Sequence, residues 1–150
     1  FSFADAIYNE ALTLEKYDSS SKFRDELKVI HKRYDLLRMM LWLESIQLRK
    51  NCKSDFHTVI YLFAYDSDDL AARARQGTIS RVLVDLKEKY GDQILLIPIA
   101  ANLNLESVNL VAESYNITSL PAVIIDESKV IRDLVPFEDI ETVVFKSNKQ

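Results

Sequence analysis

Few side chains in this chain could do covalent chemistry, and their spacing narrows the choice further. Cys52 is the only cysteine, so neither an internal disulfide nor a cysteine-only metal site can form. It lies between Lys50 and Lys53 in a polar linker, and a single-cysteine thiol enzyme using Cys52 is the catalytic alternative to a binding role. The histidines are His31 and His57. His31 stands among basic residues and reads as a surface side chain. His57 opens an apolar run that ends near Ser67, about 20 Å of strand away, too far to serve Ser67 as a general base. A serine hydrolase is therefore not expected. Asp66, Asp68 and Asp69 bring together carboxylates that suit calcium or magnesium. They lack the glycine and glutamate positions of an EF-hand loop, and Asp66 or Ser67 as a helix N-cap, followed by acids in the first turn, explains them without a metal. Gly77 and Gly91 are the only glycines, so no glycine-rich phosphate loop can be built, which argues against nucleotide chemistry. No cofactor is expected.

The elements that must carry these residues can be read from periodicity. At 150 residues, 48% hydrophobic and 28% charged, the chain is long enough for a real core and is not disordered. Its net charge of −4, with no strongly basic stretch, points away from nucleic acid. No apolar run is long enough to cross a membrane. The chain begins with Phe1; a membrane tether upstream is one reading of that start and would set the domain outside the cytoplasm.

Phe3, Ile7, Ala11 and Leu14 predict a short helix to about Tyr17, and Asp18 to Ser21 a turn. A long helix then carries Phe23, Leu27, Ile30, Tyr34, Leu37, Leu41 and Leu48 at heptad-like spacing, with a second stripe of Val29, Leu36, Met40 and Leu43. The two helices predict a hairpin over residues 1–52 that buries its stripes against each other or on the remainder of the chain. A homodimer through the Phe23 to Leu48 helix is the alternative use of its stripe. After the polar break from Asn51 to Asp55, residues 53–150 form a second unit: strand His57 to Ala64, helix Asp68 to Tyr90, strand Gln93 to Ile99, helix Leu105 to Tyr115, strand Pro121 to Ile125, strand Lys129 to Leu134, helix Phe137 to Phe145. The order is β-α-β-α-β-β-α, an α/β class. Asn116 suits a left-handed helix end, Thr118 and Ser119 a turn, and Leu120-Pro121 a cis bond at a strand start. Asn116-Ile117-Thr118 also matches a glycosylation acceptor, but turn chemistry already accounts for it.

Tyr115-Asn116-Ile117-Thr118-Ser119-Leu120-Pro121-Ala122 followed by an apolar strand resembles the cis-proline loop of the thioredoxin-like family, and the resemblance covers residues 57–146. It implies a thioredoxin-like fold, a central mixed sheet flanked by helices, behind an added helical hairpin. Where that family has its Cys-x-x-Cys pair this chain has Ser67-Asp68-Asp69-Leu70, with Ser67 at the attacking position and Leu70 at the resolving one, one turn into the helix. Tyr61 replaces the family's buried acid. Neither serine nor leucine can supply a thiolate, so the resemblance implies a domain without redox activity and not an enzyme. The longer interval from Ser67 to Gly91 implies a helix break at Gln76-Gly77-Thr78. By the same resemblance Tyr65, Ser67, Ser119, Leu120 and Pro121 line a groove for a protein partner or an extended peptide, Leu120 contributing its backbone.

Overall fold

The computed structural model describes residues 5–7, 9–10 and 24–145. Four apolar runs, β1 (His57–Phe63), β2 (Ile94–Ala100), β3 (Ala122–Ile125) and β4 (Lys129–Ile131), make one mixed sheet in the order β2-β1-β3-β4. β1 pairs with β2 in parallel, and β3 is antiparallel to both β1 and β4. The parallel pair needs a crossover, supplied by α2 (Leu70–Tyr90). The other helices are α1 (Arg24–Cys52), α3 (Glu106–Ser114) and α4 (Phe137–Phe145). The expected order β-α-β-α-β-β-α is present from β1 onward, and the class is α/β.

Because strand side chains alternate, the sheet makes two cores. Ile60, Leu62, Leu95, Ile97 and Ile124 meet Met39 and Trp42 of α1 and Val108 of α3. On the other face Val59, Tyr61, Val123 and Ile125 meet Leu83 and Leu86 of α2 and Ile140 and Val144 of α4. The chain is thus three layers deep, and β1 and β3, covered on both faces, are apolar almost throughout.

Several boundaries differ from the sequence expectation for physical reasons. α2 runs unbroken through Gly77, whose helix position is exposed with nothing within 4 Å of an added Cβ. A lone glycine costs about 1 kcal/mol in a helix, which the packing of Ile79, Leu83 and Leu86 outweighs. β4 stops at Ile131 rather than Leu134 because its partner β3 begins only at Ala122 and Ile131 already pairs with Val123; beyond it the Arg132 guanidinium donates to the carbonyl oxygens of Tyr115 and Asn116. Residues 5–7 and 9–10 are helical. The rest of the expected first helix, its turn, and Phe23 lie outside the described residues.

The face of α1 that meets the sheet is only partly the one periodicity selects: Leu27 is buried and Leu41 packs against the core. Leu27, His31, Asp35, Arg38, Met39, Trp42 and Ser45 are buried, while Val29, Ile30, Leu36, Met40, Leu43 and Leu48 are exposed. His31, expected on the surface, is therefore a core residue. A stripe that mixes charge with aromatic and aliphatic groups hides the true inner face from hydropathy.

β2 is an edge strand among the described residues. Ala101 donates its N–H to Phe63 O of β1, so by strand alternation the outward positions include Ile94, Pro98 and Ala100. Pro98 has no N–H to leave unpaired. The Ala100 N–H donates to Asp35 Oδ1 at 3.1 Å, and Lys87 Nζ donates to Ile94 O at 2.8 Å. Side chains thus occupy much of an edge where a further strand would otherwise pair.

Candidate functional site

The C-terminal end of β1 leads into the segment from Ala64 to Leu70, and two side-chain amides hold it. Gln76 Oε1 accepts from Ala64 N at 2.6 Å, and Gln76 Nε2 donates to Ala64 O at 3.1 Å. Asn102 repeats the pattern on Tyr65, accepting from its N–H at 2.7 Å and donating to its carbonyl at 2.8 Å. Each amide mimics a neighbouring strand's peptide group and extends the pairing of β1 beyond the sheet. Nothing in local sequence marks these residues, since their partners lie 12 and 37 positions away.

Asp66 then turns the chain with φ of 51°, and Ser67 Oγ accepts from Asp69 N at 3.3 Å. The cap of α2 is Asp69, not Asp66 or Ser67: its Oδ1 accepts from Ala71 N at 3.0 Å and Ala72 N at 3.2 Å. Of three candidate acids, the last is the one directly before the helix, where the side chain reaches the free N–H groups. Asp66 and Asp68 are exposed. Leu70 opens the helix instead of lying one turn into it, and its side chain is 76% exposed. Tyr65 is half-buried, its ring 4.3 Å from that of His31.

The loop after α3 comes up beside this segment. Asn116 has φ of 54°, and Ile117 N–H closes on Ala112 O at 2.8 Å, a helix end of the left-handed kind. The Leu120-Pro121 peptide is cis. Ala122 pairs with Leu62, so Pro121 falls level with Phe63, just before Ala64 and Tyr65. Pro121 is buried, Leu120 half-buried against the core, and Ser119 exposed. The structure therefore brings Pro121 and Leu120 to the end of β1 that leads to Tyr65 and Ser67. His57 lies at the opposite end of β1, and Cys52 is exposed at the last residue of α1, remote in sequence from the loop and at a terminus that presents carbonyl oxygens.

Beneath this end of the sheet lies Asp35, fully buried. Its Oδ1 accepts from Ala100 N and, at 3.3 Å, from Arg38 Nη1, while Oδ2 has no hydrogen-bond partner among the described residues. Burial pushes the carboxyl up to about 7, against the Ala100 N–H and the Arg38 guanidinium, which pull it down.

A second polar cluster closes the other end of the sheet. His57 Nδ1 lies 2.7 Å from Asp126 Oδ2, and Asp126 Oδ1 accepts from Thr58 N and Arg49 Nη1, both at 3.0 Å. Arg49 also bonds Glu127 through Nη2. Glu127 Oε1 accepts from Thr58 Oγ1 at 2.6 Å and from Trp42 Nε1 at 2.8 Å. Burial alone would raise Asp126, but His57, Thr58 N–H and Arg49 together hold it below the usual carboxylate range. A cleft of about 380 Å³ lined by Arg49, Ser54, Asp55, Phe56, His57 and Asp126 opens beside it. Arg49, Asp126 and Glu127 are engaged with each other, so the cluster works as a clasp between α1, β1 and the β3–β4 turn. Sequence reading found none of it.

No protein-family model matches the chain, and no curated protein matches it. Among solved structures, one described as the structure of a malarial protein is 21% identical with a TM-score of 0.45, covering 63% of this chain and 99% of that one. Mitochondrial thioredoxin 3 from Saccharomyces cerevisiae, in its oxidized form, is 13% identical with a TM-score of 0.44, covering 67% of this chain and 88% of its own. A designed protein is 24% identical with a TM-score of 0.40, covering 67% and 83%. Likeness of this degree assigns no activity and no partner to this chain.

Proposed function

We propose that this chain is a thioredoxin-like domain without a redox centre, and that it binds an extended segment of a protein partner along the loop that carries Leu120 and Pro121. The observation that supports this best is Leu70. A large apolar side chain stands 76% exposed at the start of α2, in the segment where the family would have its dithiol, and no core contact requires leucine there. Ser67 and Tyr65 precede it. Ser119 and Leu120 approach from the facing loop, offering backbone groups for pairing and an apolar side chain for a pocket. The amide clamps from Gln76 and Asn102 fix the backbone of this wall in advance, which lowers the ordering cost of binding.

The test is amide chemical-shift mapping of the intact chain with a library of extended peptides, beside a disulfide-reduction assay. Shifts gathered at Tyr65, Ser67, Leu70, Ser119 and Leu120, lost in Leu70→Asp with an unchanged circular dichroism spectrum, are expected, together with no reductase activity. Shifts centred on the His57 cleft, or reductase activity that depends on Cys52, would overturn the reading.

A further inference from the structure

We infer that α1 is also the seam of a twofold-symmetric homodimer, in which the α1 helices of two copies pack antiparallel. The carrying observation is the outward face of α1. Val29, Leu36, Met40 and Leu43 are 59%, 48%, 61% and 59% exposed. At 3.6 residues per turn these four lie within an arc of about 60° and run along about 21 Å of helix. Scattered surface leucines need no explanation, but a continuous stripe of large apolar side chains marks an interaction face. The sheet does not use it, since the buried residues Leu27, His31, Asp35, Arg38, Trp42 and Ser45 occupy the far side of the same helix.

The charges beside the stripe say what covers it. Along one border run Arg33 and Glu44, and along the other Asp25 and Lys50. Across a twofold axis, antiparallel helices bring each border against the same border of the other copy. One register then satisfies everything together. It sets Leu36 against Met40 of the second copy, Arg33 against Glu44, and Asp25 against Lys50, each pair occurring twice. It also lays the acidic first turn, Asp25 and Glu26, alongside the basic last turn, Arg49 and Lys50, so the helix dipoles oppose favourably. Parallel, in-register helices make neither ionic match.

Sedimentation equilibrium of the full chain tests this, with flotation on phosphatidylserine vesicles run in parallel. A dimer whose fraction rises with concentration is expected. Met40→Glu should give a monomer, and Glu44→Arg, which faces Arg33 with a like charge, should weaken association roughly tenfold or more. The double variant Arg33→Glu, Glu44→Arg should restore it. All these positions are exposed, and circular dichroism verifies that each variant is folded. A wild-type monomer at the highest soluble concentration overturns the inference, as does a swap that fails to restore the dimer. Flotation of a monomer that Met40→Glu abolishes would assign the stripe to lipid instead.

Discussion

Two ionic clusters fasten one helix to opposite ends of the same sheet, and they solve the problem in opposite ways. Toward the C-terminal end of β2, Asp35 and Arg38 are sealed from water, and Asp35 keeps one oxygen without a hydrogen bond among the described residues. At the far end, Arg49, His57, Asp126 and Glu127 are only partly buried and share a network in which both oxygens of Asp126 are engaged. Burial dominates the first and raises its acid; partners dominate the second and lower its acid. Carboxylate chemistry is the same in both places. What differs is whether enough donors accompany the charge out of water.

The contrast breaks most visibly if the sealed end is opened. Asp35→Ala removes the acceptor of Ala100 N–H and the acid beside a buried guanidinium, and should cost about 3–5 kcal/mol. A urea midpoint that falls with an unchanged m-value would show it, and a loss below about 1 kcal/mol would mean that the pair is dispensable.

The two ends should also respond oppositely to pH. Asp35 has its folded pKa raised from 3.8 to about 7, so the native state holds a proton that the unfolded chain has released. Its contribution is full below the unfolded value and is lost as pH rises toward the folded one, at up to about 1.4 kcal/mol per pH unit. Asp35→Asn, which keeps an oxygen for Ala100 N–H, should flatten that limb. Asp126 has its folded pKa lowered from 3.8. Its contribution is present above the unfolded value and is lost as pH falls through the folded one. Asp126→Asn should therefore cost about 1 kcal/mol at neutral pH and remove an acid limb instead. If both substitutions act on the same limb, the distinction between the two ends is wrong.

The smallest effect sharpens the comparison optically. Trp42 is the sole tryptophan, and its indole N–H bonds Glu127. Glu127→Gln should change its emission while costing about 1 kcal/mol. Asp35→Asn should leave the emission unchanged.

Much of this architecture was legible from residues alone. Alternating apolar runs with helical periods between them gave the element order, and Asn116 through Pro121 announced the left-handed helix end and the cis bond. α1 was legible as a helix but not in its orientation. Its inner face carries His31, Asp35 and Arg38, its outer face Val29, Leu36, Met40 and Leu43, and periodicity credits apolar residues to the inside. Tertiary pairing won because Ala100 N–H needs an acceptor that leucine cannot supply. The clamps by Gln76 and Asn102, and the clasp from Arg49 to Asp126, join residues up to 77 positions apart, and no local signal marks either partner. The three aspartates before α2 each have cap chemistry, and only the backbone decides that Asp69 does the capping.

The outer side of β2 bears on how this protein behaves when crowded. Fibril growth by templating requires a strand rim that offers donors and acceptors at every second residue, rung after rung. Here one rung lacks its donor at Pro98, the donor of another is taken at Ala100 by a side chain of α1, and the acceptor of a third is covered at Ile94 by an ammonium group that would carry its charge into any stack. A newcomer strand therefore meets fewer free partners here, among the described residues, than a bare apolar strand would offer, which weakens this rim as a template.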